Sequence, residues 1–246
     1  MWVPDLRAVT FADFGTLRRP VSRDTFAGAL VEALKAREFE SPSDSFVAAW
    51  ADAMRRQDLA EWTDQRQLAL EGVLASILPR SPRELRDVVE AAVERVAPSV
   101  EWFPDALPTL DYLRETGLRV ALVPDPLFPV GATWLGRMKP WIDVTGPTDD
   151  PKIGRLRASV FKEILPNLGA TPKQSLHVGD HIVRDVFRAK AAGMKTVLLE
   201  RVPRIAPSAE SLDWLRRFHG TDAKDVSPDL KIRTLEEIPA VIEQFG

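Results

Sequence analysis

Three short stretches carry the residue types from which hydrolytic chemistry is built. They are Phe11-Ala12-Asp13-Phe14-Gly15-Thr16-Leu17, then Val123-Pro124-Asp125, then Gly179-Asp180-His181-Ile182-Val183-Arg184-Asp185. A carboxylate aimed in line can attack phosphorus or carbon, and two carboxylates near a strand end, Asp180 and Asp185, can hold Mg²⁺ through oxygen ligands. Each stretch closes a short apolar run, and in open α/β sheets ligands bind beyond the carboxyl ends of the strands. The chain has no cysteine. That excludes a thiolate nucleophile, a disulfide framework and sulfur metal ligands, leaving metal binding to carboxylates and histidines. His177, His181 and His219 show no ligand spacing such as H-x-x-x-H and read as packing or surface residues.

The elements that must position these stretches follow from periodicity. Residues 8–14 form an apolar run ending at Gly15-Thr16-Leu17, which predicts a buried strand entering a tight turn. From 22 to 97 the period becomes helical, with Phe26, Leu30, Ala33 and Leu34 on one face and Phe46, Trp50 and Met54 on the next. A third helical run covers 68–78. A fourth opens at Ser81-Pro82-Arg83-Glu84, a capping box with Pro at the first helical position. After Pro98 strand and helix alternate. Helices are expected over 107–116, 132–138, 156–168 and 182–192, and strands over 118–123, 142–145, 176–178 and 196–199. Residues 208–218 are expected to form an added amphipathic helix with Leu212, Leu215 and Phe218 inward, followed by a strand at 230–232 and a final helix. The alternation predicts an α/β fold: a Rossmann-like, mostly parallel sheet with helices on both faces. Residues 1–18 and 101–246 make its core, and 19–100 an inserted all-α cap.

Composition narrows the function classes. Of 246 residues, 45% are apolar and 28% charged, which is enough to bury a substantial core. The net charge of -3 gives no field that would attract nucleic acid or an anionic membrane. Arg18-Arg19, Arg55-Arg56 and Arg216-Arg217 are isolated pairs that read as solvated charge. The most apolar stretch, 120–135, is broken by Pro124, Asp125, Pro126 and Pro129, and residues 1–8 lack a signal-peptide pattern. A cytoplasmic protein is the expectation.

The three acidic stretches, with a helical insertion after the first, resemble the haloacid dehalogenase-like (HAD) superfamily in the arrangement with its cap between the first two motifs. The likeness extends over Pro104-Asp105-Ala106-Leu107 through Gly117, and over Asp180 to Leu199. It implies a nucleophilic Asp three residues before Gly15, where this chain has Ala12, and in phosphatases a second Asp immediately before that Gly, where it has Phe14. A methyl group has no lone pair to attack phosphorus. Where the resemblance implies a hydroxyl of Ser or Thr on the transferred phosphoryl group, the residue is Pro124, which offers neither O–H nor N–H. For the Lys of the third motif, counting back from Phe161 gives Arg155, with Lys152 and Arg157 as neighbours and Lys139-Pro140 too early.

Thr16, Asp125 and Arg155 remain as substrate-binding candidates, and Asp180 and Asp185 as a weakened Mg²⁺ site. Each has a plainer reading: Thr16 as a turn cap, Asp180 as a cap of the following helix, Asp185 as an ion-pair partner, and Trp50 and Trp62 as cap packing. Loss of three functions at Ala12, Phe14 and Pro124 leads to the expectation of a HAD-like chain without nucleophilic catalysis. Such a chain acts as a binding, regulatory or structural module, with a small molecule or protein at the core–cap cleft. The alternative is an active phosphatase or 2-haloacid dehalogenase using a substitute acid such as Asp13. Strand alternation turns Asp13 to the opposite face from Ala12 unless a bulge intervenes. A third reading, an acid replaced by Ala12 in an active parent, leaves Pro124 unexplained.

Overall fold

The computed structural model describes residues 6–37, 39, 45–62, 70–124, 132–146, 159–201 and 209–245. Six strands form one parallel sheet: β1 (Ala8–Ala12), β2 (Arg119–Val123), β3 (Val144–Thr145), β4 (Ser175–Gly179), β5 (Lys195–Leu199) and β6 (Leu230–Ile232), in the order β3-β2-β1-β4-β5-β6. The first and third stretches thus lie on adjacent strands, with the second on the other side of β1. All five residues of β1 are buried, as a central parallel strand covered on both faces requires.

The two faces are separated by the two-residue period of the strands. Val9 and Phe11 of β1 join Val120, Leu122, Leu176 and Val178 in the larger apolar cluster, with Leu110 and Leu113 of α5 (Ala106–Thr116) and Val241 of α10 (Ile238–Phe245). Ala8 and Ala121 face the other way, onto Phe161 and Ile164 of α7 (Ser159–Asn167) and Ala189 of α8 (Arg188–Ala191). Helix α5 stops where Gly117 takes φ +76, satisfying the last-turn carbonyls through its N–H.

Between β1 and α5 lie α1 (Arg23–Lys35), α2 (Ser45–Trp62), α3 (Leu70–Ala75) and α4 (Pro82–Val96). The capping box of α4 forms as expected: Ser81 Oγ accepts from Glu84 N–H, and Glu84 accepts from Ser81 N–H. Its buried face is Leu85, Val88, Val89, Ala92 and Val96, and α1 supplies Phe26, Leu30, Ala33 and Leu34. Burying each such Leu or Val contributes roughly 1.5–3 kcal/mol, so this face, more than propensity, holds the helices together. Trp50 is packed against Phe26 at 5.9 Å between ring centroids, a core role.

Two elements differ from their sequence patterns. Residues 182–192 were expected to be one α-helix, but Ile182–Phe187 is π-helical and only Arg188–Ala191 is α. Asp185, the second acid of the third stretch, therefore lies within the π-helical turn. In α9 (Ala209–His219) the inward face is Ser211, Trp214 and Leu215, whereas Phe218 is 52% exposed and Leu212 half-buried. The large Trp214 ring, packed against Phe187, sets the rotation that the expected Leu212–Leu215–Phe218 face missed.

Candidate active site

The turn after β1 is organised by one carbonyl. The N–H groups of Thr16, Leu17 and Arg18 all point to the Asp13 carbonyl oxygen, at 3.2, 3.0 and 3.4 Å. Gly15 adopts φ +84 to allow this, and a Cβ there would lie 2.1 Å from Asp180 Oδ2. Asp180 therefore rests directly on the turn of the first stretch, and Gly15 supplies both the conformation and the space. Two of the three stretches meet as the sequence implied.

Ala12 ends β1 in register with Val123. The next residue of the second stretch, Pro124, is buried and stacked towards Gly146, where a Cβ would stand 3.4 Å from its Cδ. By alternation Ala12 takes the side of Ala8 and Thr10, and Asp13 falls to the side of Val9 and Phe11. There both Asp13 carboxylate oxygens accept from the Arg18 guanidinium, and the Asp13 side chain has no exposure. Arg18 in turn lies over Phe14 at 4.1 Å and over Trp134 of α6 (Ala132–Met138) at 4.7 Å, cation–π distances that suit a desolvated guanidinium. The reading of Arg18-Arg19 as solvated charge is corrected for Arg18, which is 2% exposed. Arg19 is exposed as expected. No periodicity signals such a residue; only an acid five positions earlier across a glycine turn hints at the partner.

Asp185 is packed against Gly179 and accepts a 2.8 Å hydrogen bond from His181 N–H, with His177 Nε2 3.7 Å from its other oxygen. Burial would raise its pKa, but the His177 and His181 imidazoles and the His181 N–H outweigh burial and lower it to about 2. His177 is buried and bonded through Nδ1 to the Thr10 hydroxyl at 2.8 Å, so β1, β4 and the acidic loop are cross-linked. His181 caps the π-helical segment, its Nδ1 accepting from Val183 N–H and Arg184 N–H. His219 is exposed, its ring 4.5 Å from that of Trp214 and 4.8 Å from that of Phe187.

Thr16 is fully buried. Its hydroxyl has no hydrogen-bond partner among the described residues, while its carbonyl accepts from Arg201 at 2.9 Å. Asp125, Lys152, Arg155 and Arg157 lie outside the described residues, as does the Trp62 side chain. Arg201 was not singled out by sequence, and Asp105 entered only as part of the stretch leading into α5. They pair bidentately at 2.9 and 2.8 Å beside the turn.

Residues 6–193 match the haloacid dehalogenase-like hydrolase family. The chain belongs to that family. Among curated relatives, the glyceraldehyde 3-phosphate phosphatase of Methanopyrus kandleri is 29% identical over 40% of this chain. The matched region spans only 43% of that relative's length. The phosphoserine phosphatase of Thermus thermophilus is 28% identical over 85% of this chain and 72% of its own length. Among solved structures, a 2-haloacid dehalogenase from Pseudomonas syringae superposes with a TM-score of 0.65 at 19% identity, covering 98% of this chain and 100% of that one, a likeness of fold.

HAD membership raises the question of a divalent ion. Asp180 sits on the Gly15 turn, Asp185 is engaged by the His181 N–H, and position 12 contributes a methyl. Among the described residues no group of three or more carboxylates or imidazoles is arranged to hold a metal ion. The described side chains by themselves do not make up a Mg²⁺ site, and no step below runs through an ion. Among the same residues no helix is long and apolar enough to cross a membrane.

Proposed function

We propose that this chain keeps the HAD core but not the family's covalent step, and that it binds a small molecule or protein partner in the cleft between core and helical insertion. The observation that carries this reading is the Asp13–Arg18 pair. With a methyl at position 12, Asp13 is the nearest substitute acid, and both of its oxygens are committed to a guanidinium in a site without solvent exposure. An attacking carboxylate needs a free lone pair in line with the reacting centre. Releasing Asp13 for attack would strand a buried arginine, at a cost of several kcal/mol. Pro124, buried towards Gly146, gives a phosphoryl group neither a hydroxyl nor an N–H donor.

A second reading is hydrolysis of a phosphate ester without an aspartyl intermediate. Both curated relatives are phosphatases, which supports an active phosphatase over the first reading. In this second reading a water attacks phosphorus as the ester P–O bond breaks and the alcohol leaves, with Asp180, held over the Gly15 turn, taking the water's proton. The Ala12→Asp variant separates the two. If only the nucleophile is missing, the variant gains Mg²⁺-dependent release of phosphate from a general phosphate monoester while the unaltered chain stays silent. If the unaltered chain already turns over and Asp180→Asn abolishes this, the second reading stands.

A further inference from the structure

Two chain crossings join the core to the helical insertion: residues 13–22, leaving β1, and residues 97–105, leading into α5. They are paired to each other. Arg19 N–H donates to the Glu101 carbonyl at 2.8 Å, Phe103 N–H to the Leu17 carbonyl at 3.0 Å, and Arg18 is bridged to Trp102. Any change in how the insertion sits on the core must bend this paired strip.

The strip is anchored on one flank by Arg18, through Asp13 and the rings of Phe14 and Trp134. On the other flank stands Arg201, two residues beyond the end of β5. Its guanidinium donates to both Asp105 oxygens and to the Thr16 carbonyl, and lies 3.9 Å over the Phe103 ring. Asp105 also accepts from the Thr234 hydroxyl at 2.8 Å and Leu235 N–H at 2.9 Å. Burial raises the Asp105 pKa, but Arg201, the Leu235 N–H and Thr234 outweigh it, so the carboxyl is lowered and the pair is charged. One guanidinium thereby joins the first crossing, the second crossing and, through Asp105, the β6–α10 connection. A planar fork with donors in several directions can do this; an ammonium cannot reach all of them in one geometry.

We propose that the Arg201–Asp105 pair is a brace on the hinge: it fixes the orientation of the helical insertion on the core, and its release is what sets the insertion free to move. The brace acts through position, and it holds under either functional reading.

The absence of cysteine makes the test direct. Spin labels at Arg86→Cys on α4 and Lys173→Cys on the core, both exposed positions, report the distance between the two parts in the full-length chain. The expected result is one narrow distance distribution for the otherwise unaltered protein, at least a doubling of its width in Arg201→Met, and partial narrowing in Arg201→Lys. Hydrogen exchange at residues 14–19 and 100–105 is expected to speed up tenfold or more in Arg201→Met, while β1 and α4 keep their protection. If Arg201→Met fails to fold, Asp105→Asn/Arg201→Met, which leaves no unpaired buried charge, takes its place. A broad distribution with Arg201 intact, or an unchanged narrow one after its removal in a folded variant, overturns the proposal.

Discussion

Asp13 and Arg18, five residues apart around the Gly15 turn, form a bidentate ion pair whose side chains are 0% and 3% exposed. The same acid that stands next to the family's nucleophile position is thus used to hold the chain leaving β1. Removing one partner of a buried pair strands the other charge, whereas removing both leaves a cavity that apolar groups can fill. Arg18→Met should therefore lower stability by about 3–5 kcal/mol. Asp13→Leu/Arg18→Met should recover most of that loss, less the stacking of Arg18 on Phe14 and Trp134. Urea unfolding of the three proteins checks this; equal losses in the single and double variants would show that Asp13 is not dependent on Arg18.

Asp185 makes stability depend on acid. Its folded-state pKa of about 2 lies below the ordinary 3.8. The sign follows: the contribution is fully present above the unfolded value and is lost as pH falls from about 4 towards 2. A depression of this size is worth about 2 kcal/mol at neutral pH. The urea midpoint should drop between pH 5 and pH 3 by more in the unaltered chain than in Asp185→Asn. Parallel acid profiles would remove Asp185 as the cause.

Gly15 and Gly117 both sit at positive φ, but only Gly15 is crowded: a Cβ meets Asp180 at 2.1 Å, and at Gly117 it meets nothing within 4 Å. Gly117→Ala carries conformational strain alone, on the order of 1 kcal/mol. Gly15→Ala adds a displacement of Asp180 and should cost at least twice as much. Thermal unfolding of the two variants measures the difference, and similar losses would mean that Asp180 gives way freely.

The fold was legible because its signals are local. Alternating strand and helix patterns, the Ser81–Glu84 capping box and the Gly117 stop each announce an element within a few residues. The parallel sheet follows from their order. The acidic loop was legible too, since its spacing survives in sequence and the structure sets Asp180 against the Gly15 turn. Arg18 was not. A dibasic dipeptide looks solvated until the turn folds it onto Asp13 and α6 brings Trp134 over it. Arg201 and Asp105 meet across 96 residues, and no local pattern records a contact of that separation. The π-helical segment at Ile182–Phe187 escaped because its apolar spacing is also compatible with an α-helix.

A methyl at position 12 also predicts weak metal binding. Ala12→Asp adds a third carboxylate to Asp180 and Asp185, and Mg²⁺ favours oxygen ligands in a compact octahedral set. Calorimetric titration should show Mg²⁺ binding at least tenfold tighter in Ala12→Asp than in the unaltered chain. Equal affinities would place the ion elsewhere or show that position 12 does not reach it.

The most direct measurement is phosphate release from a phosphate monoester by the unaltered chain with Mg²⁺, run beside Asp180→Asn prepared identically. The proposed loss of the covalent step predicts that the two traces coincide at background. Steady turnover by the unaltered chain that disappears with Asp180→Asn would contradict the account.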